Sequence, residues 1–540
     1  MDTSVISPTI DAESQRFNSV FHAKGYYRRN LVYLNAGGPG TEILQMLPNI
    51  MKQATNYRMM QELESDAQLF QYGLEQGNWQ FRHQLARFLS KEYGENVCSK
   101  QLYQTGGSTS GLWMTVSLLF RPGMCVFVED PTYYLALELF QDFSMNIIPV
   151  QTDKDGIVIE DLREKLEKYV SKSNGYQSSS NVQSDISDSE WKTLHTEEHS
   201  TGQKESDNRT KCVLESNGDR DDVLLTRIPQ TDALRLCSPL SQSPPLLESC
   251  LSQSTIPTSQ LPGGSPYKSD KTRKINWSKK NLPLSALIYL IPSYHNPTGS
   301  TLHPERCEQI IKLAREFSVL VFADEVYHLL HYDDKDVAPK RLFSYDNMDD
   351  PDYQGNVISS GSFSKIFGPG LRLGWLEVPE WLVYTMQKKG VFASGGGINT
   401  YTAGIMCSVI TLGLLSEHVN SVRKIYQARM VTASTVLKNE LPSGCHLVSP
   451  AKGGYFLWIE LPASVNAIHF KLFAEKEYKL SFMSGEKFSI VNNFKNFIRI
   501  SISFYPEDVL LAAISELCMA IREFIQKTNE KESFWKKYVE

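Results

Sequence analysis

The sequence predicts an α/β protein whose main body is a mostly parallel sheet of the seven-stranded type, covered by helices, with a smaller α+β domain at the C-terminal end. Three observations carry that expectation. Apolar runs of strand length alternate with helix-period segments. The runs are continuously apolar, as strands buried on both faces are. Segments rich in glycine, hydroxyl and charged residues follow several of the runs directly, and open α/β sheets bind ligands outside those carboxyl ends.

The chain has 540 residues, 41% hydrophobic and 21% charged, a composition that supports a large core. Residues 1–40 read as an N-terminal arm that ends in the turn-like LNAGGPG. The large domain takes 41–170 and 281–400. Its strands are expected at 124–129 (MCVFVE), 146–150 (NIIPV), 286–291 (ALIYLI), 319–323 (VLVFA), 356–360 (NVISS) and 372–377 (RLGWLE). Between them, 159–169 and 304–317 carry helical periodicity, the second opened by Pro304. One long helical stretch over 400–441 then leaves the sheet. The smaller domain within 401–540 follows, with GGYFLWIEL, FMSGEKFSI and FIRISIS as its strand-like segments.

Between the two parts of the large domain, residues 171–280 hold 21 serines in 110 positions and no phenylalanine. So little apolar surface does not offset an ordering cost of about 1–2 kcal/mol per residue, and the stretch reads as a disordered insert.

Charge and cysteines exclude several classes of function. Lys plus Arg is 55 against 61 for Asp plus Glu, a formal charge of -6 that offers no general attraction to nucleic acid or an anionic membrane. The nine cysteines are scattered without a CxxC pair, so no metal site is expected and a reducing compartment fits. The first residues lack an apolar signal segment or an Arg-rich presequence, and apolar runs stay far below the roughly 20 residues that span a bilayer. The expected location is the cytoplasm.

Several segments place useful chemistry at or near strand ends. In SGSFSKIFGPGLRLGW, Lys365 follows an apolar strand, with Ser362 before it and Arg372 after it. A desolvated lysine has a lowered pKa and forms an imine with an aldehyde. Asn296 lies in YHNPTG after ALIYLIP, and Asp324 and Tyr327 lie in DEVY after VLVFA. TGGSTSG, with Gly107, Ser108 and Thr109, opens a helix whose free N–H groups suit an anion. Taken singly each has a plainer role: helix capping for Asp324 and Ser108, core packing for Tyr327, a turn for the NPTG run, a surface ion pair for Arg372.

Together, NPTG, DEVY and SFSK, in this order and spacing, resemble the fold type I pyridoxal-phosphate aminotransferases of class I/II. The resemblance covers essentially all of the chain outside the insert. It implies that Lys365 is the Schiff-base lysine and proton shuttle, that Asp324 faces the pyridine nitrogen, and that Tyr327 and Asn296 reach the ring hydroxyl. Gly107, Ser108, Thr109, Ser362 and Arg372 become the phosphate site, with Ser108 and Thr109 as donors. Tyr133 becomes the residue stacked on the ring, and Tyr72 the tyrosine that reaches the phosphate of the other subunit of a homodimer. Arg499, in FIRISIS, matches the arginine that grips the substrate α-carboxylate, and Gly37 and Gly38 the segment that closes over the substrate. YLIPSYHNPTG is similar to the aminoadipate and kynurenine branch and to MocR-type aminotransferase modules.

The implied activity is transfer of an amino group from an amino acid, of aromatic or 2-aminoadipate type, to a 2-oxo acid such as 2-oxoglutarate. Other reactions of the same cofactor on amino acids (β-lyase, decarboxylase or cyclase) and a noncatalytic regulatory role remain as alternatives. Thr109, where the family often has a bulky residue or glutamine, and the glycines at 395–397 depart from the usual pattern and bear on substrate preference.

Overall fold

A computed structural model describes residues 31–176, 284–333, 336–448, 452–530 and 534–538. After a short first strand, β1 (Val32–Tyr33), the large sheet is built from β2 (Leu102–Thr105), β3 (Cys125–Asp130), β4 (Asn146–Asp153), β5 (Gly156–Ile157), β6 (Ala286–Leu290), β7 (Leu320–Asp324), β8 (Val357–Ser362) and β9 (Gly374–Glu377). Their spatial order is β2-β9-β8-β7-β6-β3-β4-β5. The pairs from β8 through β4 are parallel, and β9 runs antiparallel to both β8 and β2. Every residue of β6, β7 and β8 is buried, as strands covered on both faces must be. The sheet therefore has the expected mostly parallel core, and its eighth strand is the two-residue β5.

Chain order reverses around β3 and β6. From there β4 lies to one side and β7 to the other, and the crevice at the carboxyl ends is where such sheets bind ligands. The helix Pro304–Phe317 crosses from β6 to β7, starting on Pro304 at its first position and ending at Ser318 in the left-handed region.

The smaller sheet is antiparallel, with β10 (His446–Leu447), β11 (Phe456–Glu460), β13 (Met483–Ser484) and β14 (Phe497–Ser501) in the order β10-β11-β14-β13. The helices Ala467–Phe473 and Glu507–Glu530 belong to the same part of the chain. A separate two-residue strand, β12 (Leu480–Ser481), pairs with β1, which ties the start of the described chain to this domain.

Three expectations need correction. The stretch 400–441 is two helices, Thr400–Thr411 and Leu414–Glu440, meeting at 80°. Gly413 sits there at φ 77°, a conformation that glycine adopts without steric cost. The helix expected over 159–169 runs on to Tyr176, six residues into the segment read as an insert. The rest of that segment and residues 1–30 lie outside the described residues. Finally, β2 was not anticipated: LYQT contains no apolar run, and its pairing with β9 makes it a strand. Among the described residues no single helix is long and apolar enough to cross a membrane, and no cluster of three metal-ligating side chains occurs.

Candidate active site

Four strand ends and one helix start converge on a cavity of about 520 Å³. Its lining includes Lys365, Asp324, Tyr327, Asn296, Tyr133 and Arg372. Gly37, Gly38, Ser108, Thr109 and Ser362 line it too.

Lys365 sits in the one-turn helix Phe363–Ile366 that follows β8, and Ser362 caps that turn by accepting from the Ser364 N–H at 3.1 Å. The Lys365 Nζ donates to the Gly37 carbonyl at 2.7 Å, and the lysine's own carbonyl accepts from the Tyr455 hydroxyl at 2.6 Å. Desolvation, with the Arg499 charge adding to it, lowers the Lys365 ammonium to about 8 against the opposing pull of Asp324. A neutral fraction far above that of an ordinary lysine near physiological pH is what a nucleophilic amine requires.

Asp324 ends β7. Its Oδ1 accepts from the Ser108 hydroxyl at 2.6 Å and its Oδ2 from the Tyr289 hydroxyl at 2.9 Å. Burial raises its pKa, and these two hydrogen bonds act the other way. Asn296 joins the two domains: its Oδ1 accepts from Arg499 Nη1 at 2.7 Å, and it lines the cavity together with Tyr327. Behind this turn, Glu129 Oε2 accepts from the Ile291 N–H at 2.9 Å and lies 3.2 Å from His295 Nε2.

Arg499 lies on β14, is 4% exposed, and touches the cavity through Asn296 without being part of its lining. Its Nη2 donates to the Asn35 carbonyl at 2.9 Å, while its Nε is buried without a hydrogen-bond partner. The guanidinium stands 4.1 Å from the Phe456 ring and 5.0 Å from that of Phe488. Burial lowers its pKa to about 10, which leaves it charged at neutral pH. A buried charge with an open donor is suited to a carboxylate.

The anion side of the cavity is formed by the start of the helix Ser108–Leu119, together with Ser362, Ser364 and Arg372. Gly107, which caps that helix at φ 105°, shapes this cradle from just behind it. A Cβ on Gly107 would lie 3.4 Å from Arg372 Nη2 and 3.7 Å from Ser362 Oγ. Ser108 differs from expectation in one respect: its hydroxyl is directed to Asp324 and accepts from Ser360 Oγ at 2.9 Å. That leaves its backbone N–H, in the first helical turn, as its group for an anion. Tyr72 is not in the cavity; it is 81% exposed and packs beside Gly395.

The donor set fits pyridoxal phosphate. A buried amine of lowered basicity suits its aldehyde, a carboxylate its ring nitrogen, a tyrosine and an asparagine its ring hydroxyl, and a helix start with Arg372 its phosphate. Sequence reasoning missed Tyr289, Tyr455, Asn35, Glu129 and Ser364. The sequence carries no signal for Tyr289, which lies inside the apolar run ALIYLI and reads as core.

The architecture and the site define a fold type I aminotransferase. Residues 29–175 and 272–517 match the family model for aminotransferase class I and II, and the chain belongs to that family. It is 31% identical over 234 residues to an uncharacterized protein of Saccharomyces cerevisiae, covering 41% of this chain and 53% of that protein. It is 22% identical over 536 residues to aromatic-amino-acid aminotransferase 1 of Thermococcus litoralis, covering 96% of this chain and 97% of that one. The chain thus spans about half the length of the yeast relative and nearly all of the archaeal one. Among solved structures, the kynurenine aminotransferase of Pyrococcus horikoshii superposes with a TM-score of 0.63 at 20% identity, covering 96% of this chain and 95% of that one. That likeness shows the fold.

Proposed function

We propose that the protein is a pyridoxal-phosphate-dependent transaminase, working as a homodimer, that moves the amino group of an amino acid to a 2-oxo acid such as 2-oxoglutarate. The observation that carries this reading is that a desolvated Lys365, with its pKa near 8, and Arg499 both hold the segment 35–37, Lys365 at the Gly37 carbonyl and Arg499 at the Asn35 carbonyl. One group suits an aldehyde and the other a carboxylate, which are the two ends of the chemistry a transaminase must hold together.

The cofactor, when bound, supplies the electron sink for the charge left on the substrate carbon when its proton is removed. The protein's residues do the rest. Lys365 Nζ takes that proton and returns it, a role its lowered pKa fits. Asp324 would hold the ring nitrogen with its negative charge, and Tyr327 and Asn296 would hold the ring hydroxyl. Arg499 fixes the carboxylate, and with it which bond of the substrate carbon faces the lysine. Phe456 and Phe488 hold the Arg499 guanidinium against their rings, and a substrate of the aromatic or 2-aminoadipate type is supported by relatives of those two activities.

A homodimer is supported by the exposure of Tyr72 together with that of Leu63, Phe70 and Trp79, each at least 60% exposed. In this reading Tyr72 reaches the phosphate of the other subunit. The experiment is a half-reaction assay: the cofactor-loaded protein is mixed with single amino acids in the absence of a 2-oxo acid, and the released oxo acid is measured. One equivalent of oxo acid per subunit supports the reading. No release from any amino acid, aromatic and 2-aminoadipate included, overturns it.

A further inference from the structure

We propose that Tyr289 is a positioning residue for Asp324: its hydroxyl, opposite the Ser360–Ser108 hydroxyl pair, holds the carboxylate charged and aimed at the ring nitrogen. The inference rests on the ring-nitrogen role given to Asp324 above.

Asp324 is 7% exposed, and among the described residues no cation is in ion-pair contact with it, the Lys365 charge acting from farther away. A carboxylate so placed takes up a proton unless donors hold it ionised. Here each oxygen has one neutral donor: Oδ2 has the Tyr289 hydroxyl at 2.9 Å and Oδ1 the Ser108 hydroxyl at 2.6 Å. Ser108 Oγ is itself fixed by accepting from Ser360 Oγ at 2.9 Å, so its proton is directed at Asp324. Each carboxylate oxygen has a second lone pair, which leaves room to accept a ring N–H. Gripping both oxygens from two sides also fixes the plane of the carboxylate.

Tyr289 is built for this task by the sheet. It pairs with Phe322 across the parallel β6 and β7 strands, so Asp324, two residues on from Phe322, lies on the same face. Its ring is fully buried, stacked on Phe322 at 6.1 Å and edge-on to Phe140 at 5.6 Å. Burial, reinforced by the Asp324 charge, raises its pKa well above the usual tyrosine value, so it stays protonated and a donor at any working pH. A tyrosine needed only for packing would not direct its hydroxyl at the site's one ring-facing carboxylate.

The test uses Tyr289→Phe, which removes one oxygen and keeps the ring. Tyr103→Phe is the matched control, because Tyr103 is also fully buried in this sheet and its hydroxyl has no hydrogen-bond partner. Apoprotein is titrated with pyridoxal phosphate and with its 1-deaza analogue, which carries carbon in place of the ring nitrogen, and the ratio of the two affinities is read. Wild type and Tyr103→Phe should prefer the natural cofactor. Tyr289→Phe should lose about tenfold or more of that preference, the ratio set by one hydrogen bond to a charged group. Its acid limb of kcat should also move to higher pH, because losing a donor raises the Asp324 pKa. An unchanged ratio in Tyr289→Phe overturns the proposal. A wild type without any preference overturns the role of Asp324 itself, and the proposal with it. If Tyr289→Phe does not fold, Ser360→Ala removes support from the other oxygen and is read in the same way.

Discussion

Arg499 Nη1 donates to Asn296 Oδ1 at 2.7 Å, so a residue of the small domain is fastened to the turn that follows β6 in the large domain. The contact ties the proposed carboxylate site to the proposed ring site. Replacing Arg499 with lysine exchanges a planar fork, whose two Nη groups reach Asn296 and the Asn35 carbonyl, for a compact point charge without that spread. Arg499→Lys should retain cofactor and bind amino acid more weakly by about 2–5 kcal/mol, the usual cost of breaking a desolvated charge pair. Steady-state KM values and a cofactor titration check both halves. An unchanged KM would remove Arg499 from the substrate site.

The lowered pKa of Lys365 sets a pH dependence. The neutral amine is the nucleophile, and its fraction grows as pH rises through about 8. Incorporation of pyridoxal phosphate into apoprotein should therefore accelerate from pH 6.5 to 9 with a midpoint near 8. Stopped-flow absorbance measures it. A midpoint near the ordinary lysine value would show that the amine is not desolvated in solution.

The proposed contribution of Tyr72 to the other subunit is tested by mixing two inactive or weakened variants. In a heterodimer of Lys365→Ala and Tyr72→Ala subunits, one site carries both lesions and the other carries neither. Mixing and refolding the two should restore activity toward one quarter of the wild-type level, since half of the dimers are mixed and each has one intact site. No restoration would place Tyr72 and Lys365 in the same subunit's site or outside it altogether.

The family match passes from residue 175 to 272, and the described chain resumes just before β6. Deleting residues 182–271 should leave cofactor binding and transamination intact. Loop-closure entropy changes by only about 0.6 kcal/mol per doubling of length, so the shorter connection does not strain the sheet on entropic grounds. Gel filtration and the half-reaction assay report the outcome; an aggregated or inactive variant would give this segment a structural part in the enzyme.

Much of this was legible in the sequence because strands buried on both faces leave continuous apolar runs, and β3, β6, β7 and β8 all lie on such runs. The lysine, aspartate and asparagine were legible because they follow those runs directly. Pairing alone makes β2 a strand, and LYQT carries no sign of its neighbour. The bend at Gly413 was hidden because apolar periodicity continues on both sides of it. Ser108 was assigned by its place at a helix start, yet its hydroxyl turns to Asp324, 216 positions away in the chain, a partner that only the folded sheet supplies. Tyr289 and Tyr455 escaped for the same reason: an aromatic inside an apolar run reads as core, and their hydroxyl partners lie on other strands or turns.

The central claim is that Lys365 carries the cofactor. Incubating the protein with pyridoxal phosphate, reducing with borohydride and mapping the modified peptide by mass spectrometry tests it directly. The account predicts one phosphopyridoxyl group per subunit on Lys365, and none in a folded Lys365→Ala variant. A reduced adduct on another lysine, or an unmodified Lys365 in protein that has taken up the cofactor, would contradict it.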